Sequence, residues 1–362
     1  SRTGAVLMAA DRDCSETLRR AVLDAAGESR PLQLMGHGSK AFYGRACLGD
    51  PLSLAEHSGI ISYEPTELVI TARGGTALKE IEDALREKGQ MLPFEPPQFD
   101  GKGTIGGAIA SGLSGPRRPW GGAPRDLLLG MKLLDGRGQI LRFGGQVMKN
   151  VAGYDLSRLM AGAMGTLGIL LEVSIKVLPK PPQEHTLMLS AGDWAAARPL
   201  LHKMLIEGVP VTASYSQGEQ HKLRLACSQQ RVEQIVQRYG VEAVDHQVDF
   251  WRALRDQQLD YFTQKEPLWR LSIPPAADID SKEQMLYEWS GGVRWLFSAR
   301  PGSEIRSRVE NAGGHAILFR NGDRSGEIFH PLHPRLADMQ KGLKQVFDPE
   351  GIFNPGRHYP DY

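Results

Sequence analysis

Between Ser15 and Gly27 the apolar residues Leu18, Ala21, Val22 and Ala25 recur at helical spacing. This predicts a helix over Ser15 to Ala26, capped by Ser15 and stopped by Gly27. A short apolar run, Pro31 to Met35, predicts a strand feeding Gly36-His37-Gly38-Ser39-Lys40. Glu67 to Ala72 predicts a second strand, and Leu78, Ile81 and Leu85 mark one face of a helix from Thr76 to Lys88 that ends at Gly89. After the extended, proline-rich Met91 to Pro97, a glycine-rich stretch from Gly101 to Gly107 opens a helix of small residues through Ser111. Strands are predicted at Leu127–Leu134 and Ile140–Phe143, joined by the turn Asp135-Gly136-Arg137-Gly138, and at Leu167–Leu178.

The pattern breaks at Pro179-Lys180-Pro181-Pro182, where helix and central strand are both disfavoured. Beyond it, strands at His185–Leu189, Val211–Ser214, Lys222–Ala226, Leu268–Ile273, Gly292–Phe297 and His315–Arg320 alternate with helices. Those helices are predicted near Trp194–Ile206, Val232–Tyr239, Val248–Gln257, Lys282–Trp289 and Ser303–Ala312. A last helix, Arg335 to Val346, precedes two turns, Asp348-Pro349-Glu350-Gly351 and Asn354-Pro355-Gly356-Arg357. The expected class is α+β, with one domain over 1–182, a second over 183–334, and a helix and tail over 335–362 that pack back on the first.

Composition narrows the partners. The chain has 362 residues, 43 basic and 42 acidic, for a formal charge of +1. Charges that cancel give no broad cationic field for nucleic acid or an anionic membrane. No apolar run approaches the ~20 residues of a membrane span, and the N-terminal stretch is too broken by Arg2, Asp11 and Arg12 to read as a secretory signal. Cys14, Cys47 and Cys227 are odd in number and far apart, which excludes a disulfide framework and a cysteine-ligated iron–sulfur cluster and suits a reducing cytoplasm.

Glycine carries the chemistry. Of 41 glycines, 17 lie between Gly101 and Gly168, a density that brings backbone close to a turn or a ligand. Gly101-x-Gly103-x-x-Gly106 matches a dinucleotide fingerprint in letters only, because Phe94-Glu95-Pro96-Pro97 precedes it where a central strand would have to run. No Gly-Lys-Ser or Gly-Lys-Thr occurs, so there is no Walker loop. Gly36 to Lys40 after one strand, and Gly103 to Gly107 opening a helix, instead offer two runs of unshielded backbone N–H groups able to face a pyrophosphate.

Several motifs, in order, resemble the vanillyl-alcohol oxidase / p-cresol methylhydroxylase (PCMH-type) FAD-binding family. They are Gly36-His37-Gly38-Ser39, Val69 to Gly75, Leu92-Pro93 with Pro96-Pro97, Thr104-Ile105-Gly106-Gly107, Arg125-Asp126 with Leu129-Gly130, Lys149 to Leu156, Gly165 to Ile169 and Asp348 to Arg357. More narrowly, Gly115-Pro116-Arg117-Arg118-Pro119-Trp120, Val147 to Tyr154 and Asn311 to His315 are similar to the family of FAD-binding subunits of bacterial glycolate oxidases.

The resemblance implies a two-subdomain FAD-binding fold, an α+β (ferredoxin-like) cap over the isoalloxazine, and a tail returning to the flavin. It assigns the FAD contacts to Gly36, His37, Gly38, Ser39, Lys40, Pro97, Thr104, Ile105, Gly106, Gly107, Ser111, Gly112, Gly115, Gly168, Ile169 and Asn354. Covalent members attach flavin through a histidine directly before the serine of the first loop. Gly38 stands there, so noncovalent FAD is expected.

Oxidising a 2-hydroxy acid needs a cation for the carboxylate, a base for the hydroxyl proton and a hydride acceptor. His315 and Arg320 in the cap, with Arg117 and Arg118 for the carboxylate, are the candidates. His330-x-x-His333 with His315 has metal-ligand types, yet Pro331 and Pro334 stiffen the loop and no carboxylate completes the set, so no metal is expected. Related D-2-hydroxy-acid dehydrogenases carry a histidine-rich Gly-Asp-x-Asn-x-His signature in the cap. Asn321 to Gly326 lacks that histidine.

Two functions therefore stay open. One is an FAD-dependent glycolate (or D-lactate) dehydrogenase subunit that passes electrons to an iron–sulfur partner subunit. The other is a non-catalytic FAD-holding subunit beside a paralogous catalytic flavoprotein. Either would be cytoplasmic, touching the inner membrane only through partners.

Overall fold

The computed structural model describes residues 12–145, 156–279 and 282–362. The stretch Val147–Asp155, part of the family motif series, lies outside the described residues. β1 (Leu32–Met35) and β2 (Asp50–Ser53) form a parallel pair. β3 (Ile60–Glu64), β4 (Val69–Arg73), β5 (Gln90–Met91), β6 (Leu128–Leu134), β7 (Ile140–Gly144), β8 (Ile169–Lys176) and β9 (Leu178–Pro179) follow. Five of them form an antiparallel sheet in the order β3-β4-β8-β6-β7, and β5 pairs with β9.

The fully buried β4 is rich in β-branched residues, which suit a strand covered on both faces. Helix Leu78–Glu87 buries Leu78, Ile81 and Leu85 in the core shared with this sheet, as the spacing predicts. Helix Ser15–Gly27 is also as expected, apart from its cap. Cys14 holds the cap position, and the Ser15 N–H donates to Asp13 Oδ1, because Asp13 lies two residues upstream in Asx-turn reach.

The second sheet contains β10 (Glu184–Leu189), β11 (Val211–Gln217), β12 (Gln220–Ala226), β13 (Glu242–Val244), β14 (Leu268–Ser272), β15 (Met285–Glu288), β16 (Val293–Phe297) and β17 (His315–Arg320). Its order is β13-β10-β12-β11-β15-β16-β14-β17, all antiparallel. The molecule is thus a mixed α+β structure. The helix expected over Lys282–Trp289 is a strand and a 3₁₀ turn. β15 sits between β11 and β16, so Met285 and Leu286 are both buried on opposite faces and the run shows no polar alternation.

Register in this sheet has a consequence for chemistry. Trp295 pairs with Arg270 and Leu286; Glu288 pairs with Tyr215 and Val293; Ser272 pairs with His315. Cross-strand partners and residues two apart share a face. Tyr215, Arg270, Glu288, Trp295 and His315 therefore stand on one face of the second sheet.

Helix Pro334–Phe347 leads into a tail welded to the first domain. The buried Lys344 Nζ donates to Thr166 O (2.7 Å), Phe353 O (2.8 Å) and Asp348 Oδ2 (2.6 Å). Asp348 also accepts the Ile352 and Phe353 N–H groups. Asn354 Oδ1 accepts the Leu34 N–H at 2.7 Å, and its Nδ2 donates to Met164 O at 2.8 Å. Both turns form, with Gly351 N–H reaching Asp348 O and Arg357 N–H reaching Asn354 O.

Removing one partner of a buried ion pair strands the other charge. Asp348→Ala is expected to lower stability by about 3–5 kcal/mol, read from urea unfolding. Lys344→Met added to it should restore part of the loss. An effect under about 1 kcal/mol would rule out an energetic role for the knot.

Candidate functional site

Two glycine turns set the geometry. A Cβ on Gly74 would lie 2.1 Å from Leu170 O, and one on Gly106 would lie 2.7 Å from Gly74 O. Helix Ile105–Ser111 thereby starts directly against the end of β4, with Gly106 N–H donating to Gly74 O at 2.8 Å. Thr104 caps it, its Oγ1 accepting the Gly107 N–H at 3.1 Å. That hydroxyl also touches the first loop, because a Cβ on Gly36 would lie 2.6 Å from Thr104 Oγ1.

Cavities follow this contact in series. One of about 90 Å³ lies between Leu34–Gly36, Gly106, Ala110 and Met164–Leu170. A second, about 150 Å³, runs under Gly36–Ala41 and shares Gly36, Thr104, Gly107, Ala110 and Asn354 with the first. Ser111 lines the second and also the third, a space of about 530 Å³ between Ser111–Gly115 and the inner face of the second sheet.

The middle cavity is built for an anion. Lys40 is half-buried, its one hydrogen-bond partner among the described residues is Ser39 Oγ at 3.3 Å, and burial pushes its amine down to about 8. No carboxylate pairs with it among the described residues. Arg357 lines the same space while donating to Lys40 O and Tyr43 O.

The segment after Lys40 is laced to two other parts of the chain by arginine-to-carbonyl bonds. Arg324 Nη2 reaches Gly44 O at 2.8 Å; Arg45 reaches Gly356 O and Gly326 O. A half-buried cation without a carboxylate partner among the described residues and open glycine backbone, with no Cβ in the way, fit a diphosphate.

Among the expected FAD contacts, Gly36 to Lys40, Thr104, Gly107, Ser111 and Asn354 meet at the middle cavity. Gly106, Gly168 and Ile169 line the first, and Pro97, Gly112 and Gly115 line the third. Ile105 is turned into the core and lines none of them. His37 is exposed and its Nδ1 pairs with Lys102 O at 3.1 Å.

The catalytic candidates divide. Arg118 lines the large cavity with its guanidinium 4.8 Å from the Trp289 ring centre, and burial and Arg125 lower its pKa. His315 lines the same cavity, and burial, Arg270 and His330 hold its pKa below the usual imidazole value. Arg117 points elsewhere: it is ion-paired to Glu184 (2.6 Å) and Glu95 (3.3 Å) at the seam between the sheets. Arg320 stacks 4.5 Å from the Phe42 ring and does not line the cavity. His330 Nδ1 accepts the Ala316 N–H and its Nε2 meets Glu310, while His333 caps helix Pro334–Phe347.

Sequence reading missed Arg270 and Glu288. Arg270 is half-buried in the cavity wall, 5.0 Å from the same Trp289 ring, with Ser272 Oγ its hydrogen-bond partner. Glu288 is 6% exposed, and its Oε2 accepts Trp295 Nε1–H at 2.7 Å. Burial drives its carboxyl up to about 7, against the opposing pull of Trp295 and Arg270. The available signal was strand alternation: Trp269-Arg270-Leu271-Ser272 sets Arg270 on the face opposite Trp269.

Such a fold and cradle define an FAD-binding flavoprotein, and residues 12–144 match the FAD binding domain family model. The chain is 44% identical over 350 residues to glycolate oxidase subunit GlcE of Escherichia coli (strain K12), covering 96% of this chain and 98% of that protein. It belongs to that family of oxidoreductase subunits. Glycolate oxidase subunit GlcD of Bacillus subtilis (strain 168) is 34% identical over 157 residues, 43% of this chain and 33% of that one. The fold is that of p-cresol methylhydroxylase with substrate bound, at a TM-score of 0.73 and 16% identity, covering 97% of this chain and 88% of that chain. Among the described residues no helix is long and apolar enough to cross a membrane.

A lysine at this place would make anion binding in the middle cavity pH-dependent. Its amine is charged below about 8, so FAD affinity should fall as pH rises above that value, by up to about tenfold per unit. Lys40→Met should weaken FAD about 10- to 100-fold at pH 7 and abolish that pH dependence, both read by flavin fluorescence titration.

Proposed function

We propose that this chain is the FAD-carrying subunit of a glycolate-oxidising complex, with the large cavity receiving the 2-hydroxy acid. Support comes chiefly from two cavity-wall guanidiniums, Arg118 and Arg270, stacked on one indole and without a carboxylate ion pair among the described residues. They offer the substrate carboxylate a charged, bidentate seat in a low-dielectric pocket. Trp289 and Phe319 line the same cavity with aromatic rings.

FAD, when bound, supplies the acceptor for the hydride from the substrate's α-carbon. Lys40 and the glycine loops hold its diphosphate, and the absence of a histidine at Gly38 leaves it noncovalent. Cys14, Cys47 and Cys227 are too scattered in sequence to hold a cluster, so on this reading an iron–sulfur partner subunit would be the electron acceptor.

A second reading has a specific observation behind it. Likeness to GlcD covers 43% of this chain, and the cap signature histidine of related dehydrogenases is missing at Asn321–Gly326. On that reading the chain holds FAD for a paralogous catalytic subunit.

Anaerobic addition of glycolate, then D-lactate, to the purified holoprotein separates the two. Bleaching of the flavin band by this chain alone supports turnover here; bleaching only after partner subunits are added supports the accessory role. Arg118→Met and Arg270→Met should each raise the half-saturating glycolate concentration about 10- to 100-fold. Acid precipitation should release all the flavin; a coloured pellet would show covalent attachment.

A further inference from the structure

Glu288 is a buried carboxyl in the cavity wall that the cofactor cradle does not use. Its Oε2 is held by Trp295 Nε1–H at 2.7 Å, while Oε1 has no hydrogen-bond donor among the described residues. Side chains facing it from the packed elements are Arg270 on β14, Trp295 on β16, Tyr215 on β11 and, farther off, Glu95. His315 on β17 and Arg118 complete the charged lining of the cavity. A carboxyl fixed through one oxygen and lining a cavity that also holds guanidiniums is placed for proton transfer rather than for ion pairing alone.

We propose that Glu288 Oε1 takes the hydroxyl proton of the 2-hydroxy acid seated on Arg118 and Arg270. The inference rests on the reading of the large cavity as the substrate site. The step balances: the O–H proton passes to the carboxylate, the carbonyl forms, and the α C–H leaves with its electron pair to FAD, the oxidant. The carboxyl titrates near neutrality because burial opposes its charge while Arg270 favours it, which suits a base working at pH 7.

Two features favour Glu288 over His315. His315 stands at the start of the edge strand β17, whereas Glu288 lies on β15 inside the sheet. Trp295 also fixes the orientation of Glu288, while among the described residues the ring contact of His315 is with His330, at 6.0 Å between ring centres.

The test compares wild-type, Glu288→Gln and His315→Gln holoproteins. Glutamine keeps the acceptor for Trp295, so folding and flavin content should be retained. Flavin reduction by glycolate in stopped flow should rise with pH through about 7 in wild type and in His315→Gln. In Glu288→Gln it should be slowed about 100-fold or more and lose that inflection.

Binding of oxalate, which cannot be oxidised, gives a readout apart from turnover. It should weaken above pH 7 in wild type as Glu288 acquires charge, and become pH-independent in Glu288→Gln at undiminished affinity below pH 7. A Glu288→Gln protein that keeps the wild-type rate and inflection overturns the proposal. So does transfer of the inflection's loss to His315→Gln. A wild-type flavin that no 2-hydroxy acid reduces, with or without partner subunits, overturns the substrate reading itself and the proton acceptor with it.

Discussion

Everything about the site depends on how closely two backbone segments approach where β4 ends and helix Ile105–Ser111 begins. No side chain fits at Gly74 or Gly106, so the amide of one meets the carbonyl of the other directly. This contact fixes where Thr104 stands, and Thr104 in turn sets how near the Gly36 loop comes. The cradle is therefore a by-product of packing. Its walls are main chain, whose position the two sheets determine, and its charge comes from Lys40 and Arg357 at the edges.

Backbone walls explain how much could be read from the chain. Glycine loops, proline breaks and helical stripes are local signals, and the helix faces of Leu18, Val22 and Ala25 and of Leu78, Ile81 and Leu85 followed their spacing. The cap was less legible for a physical reason. A strand covered on both faces loses its alternation, so Met285-Leu286-Tyr287-Glu288 looked helical, and the misreading concealed Glu288.

Arg117 and Arg118 illustrate the opposite difficulty. They are adjacent in sequence, yet one turn of chain sends the first to Glu95 and Glu184 and the second to Trp289. Only tertiary contacts separate an arginine at the seam from one in the cavity wall. Arg270 needed the same information, since its place in that wall comes from the register that sets it beside Trp295.

The lacing of residues 40–46 bears on how the holoprotein comes into being. Lys40 and Tyr43 are held by bonds from Arg357 and Gly44 by bonds from Arg324, and Asn354 lines the first two cavities. Those residues are synthesised long after the glycine loops. During translation the loops emerge with half of their scaffold missing, and the anion seat has one wall open. That seat is complete only once the cap loop and tail have docked, and a nascent chain released early would leave the middle cavity unfinished.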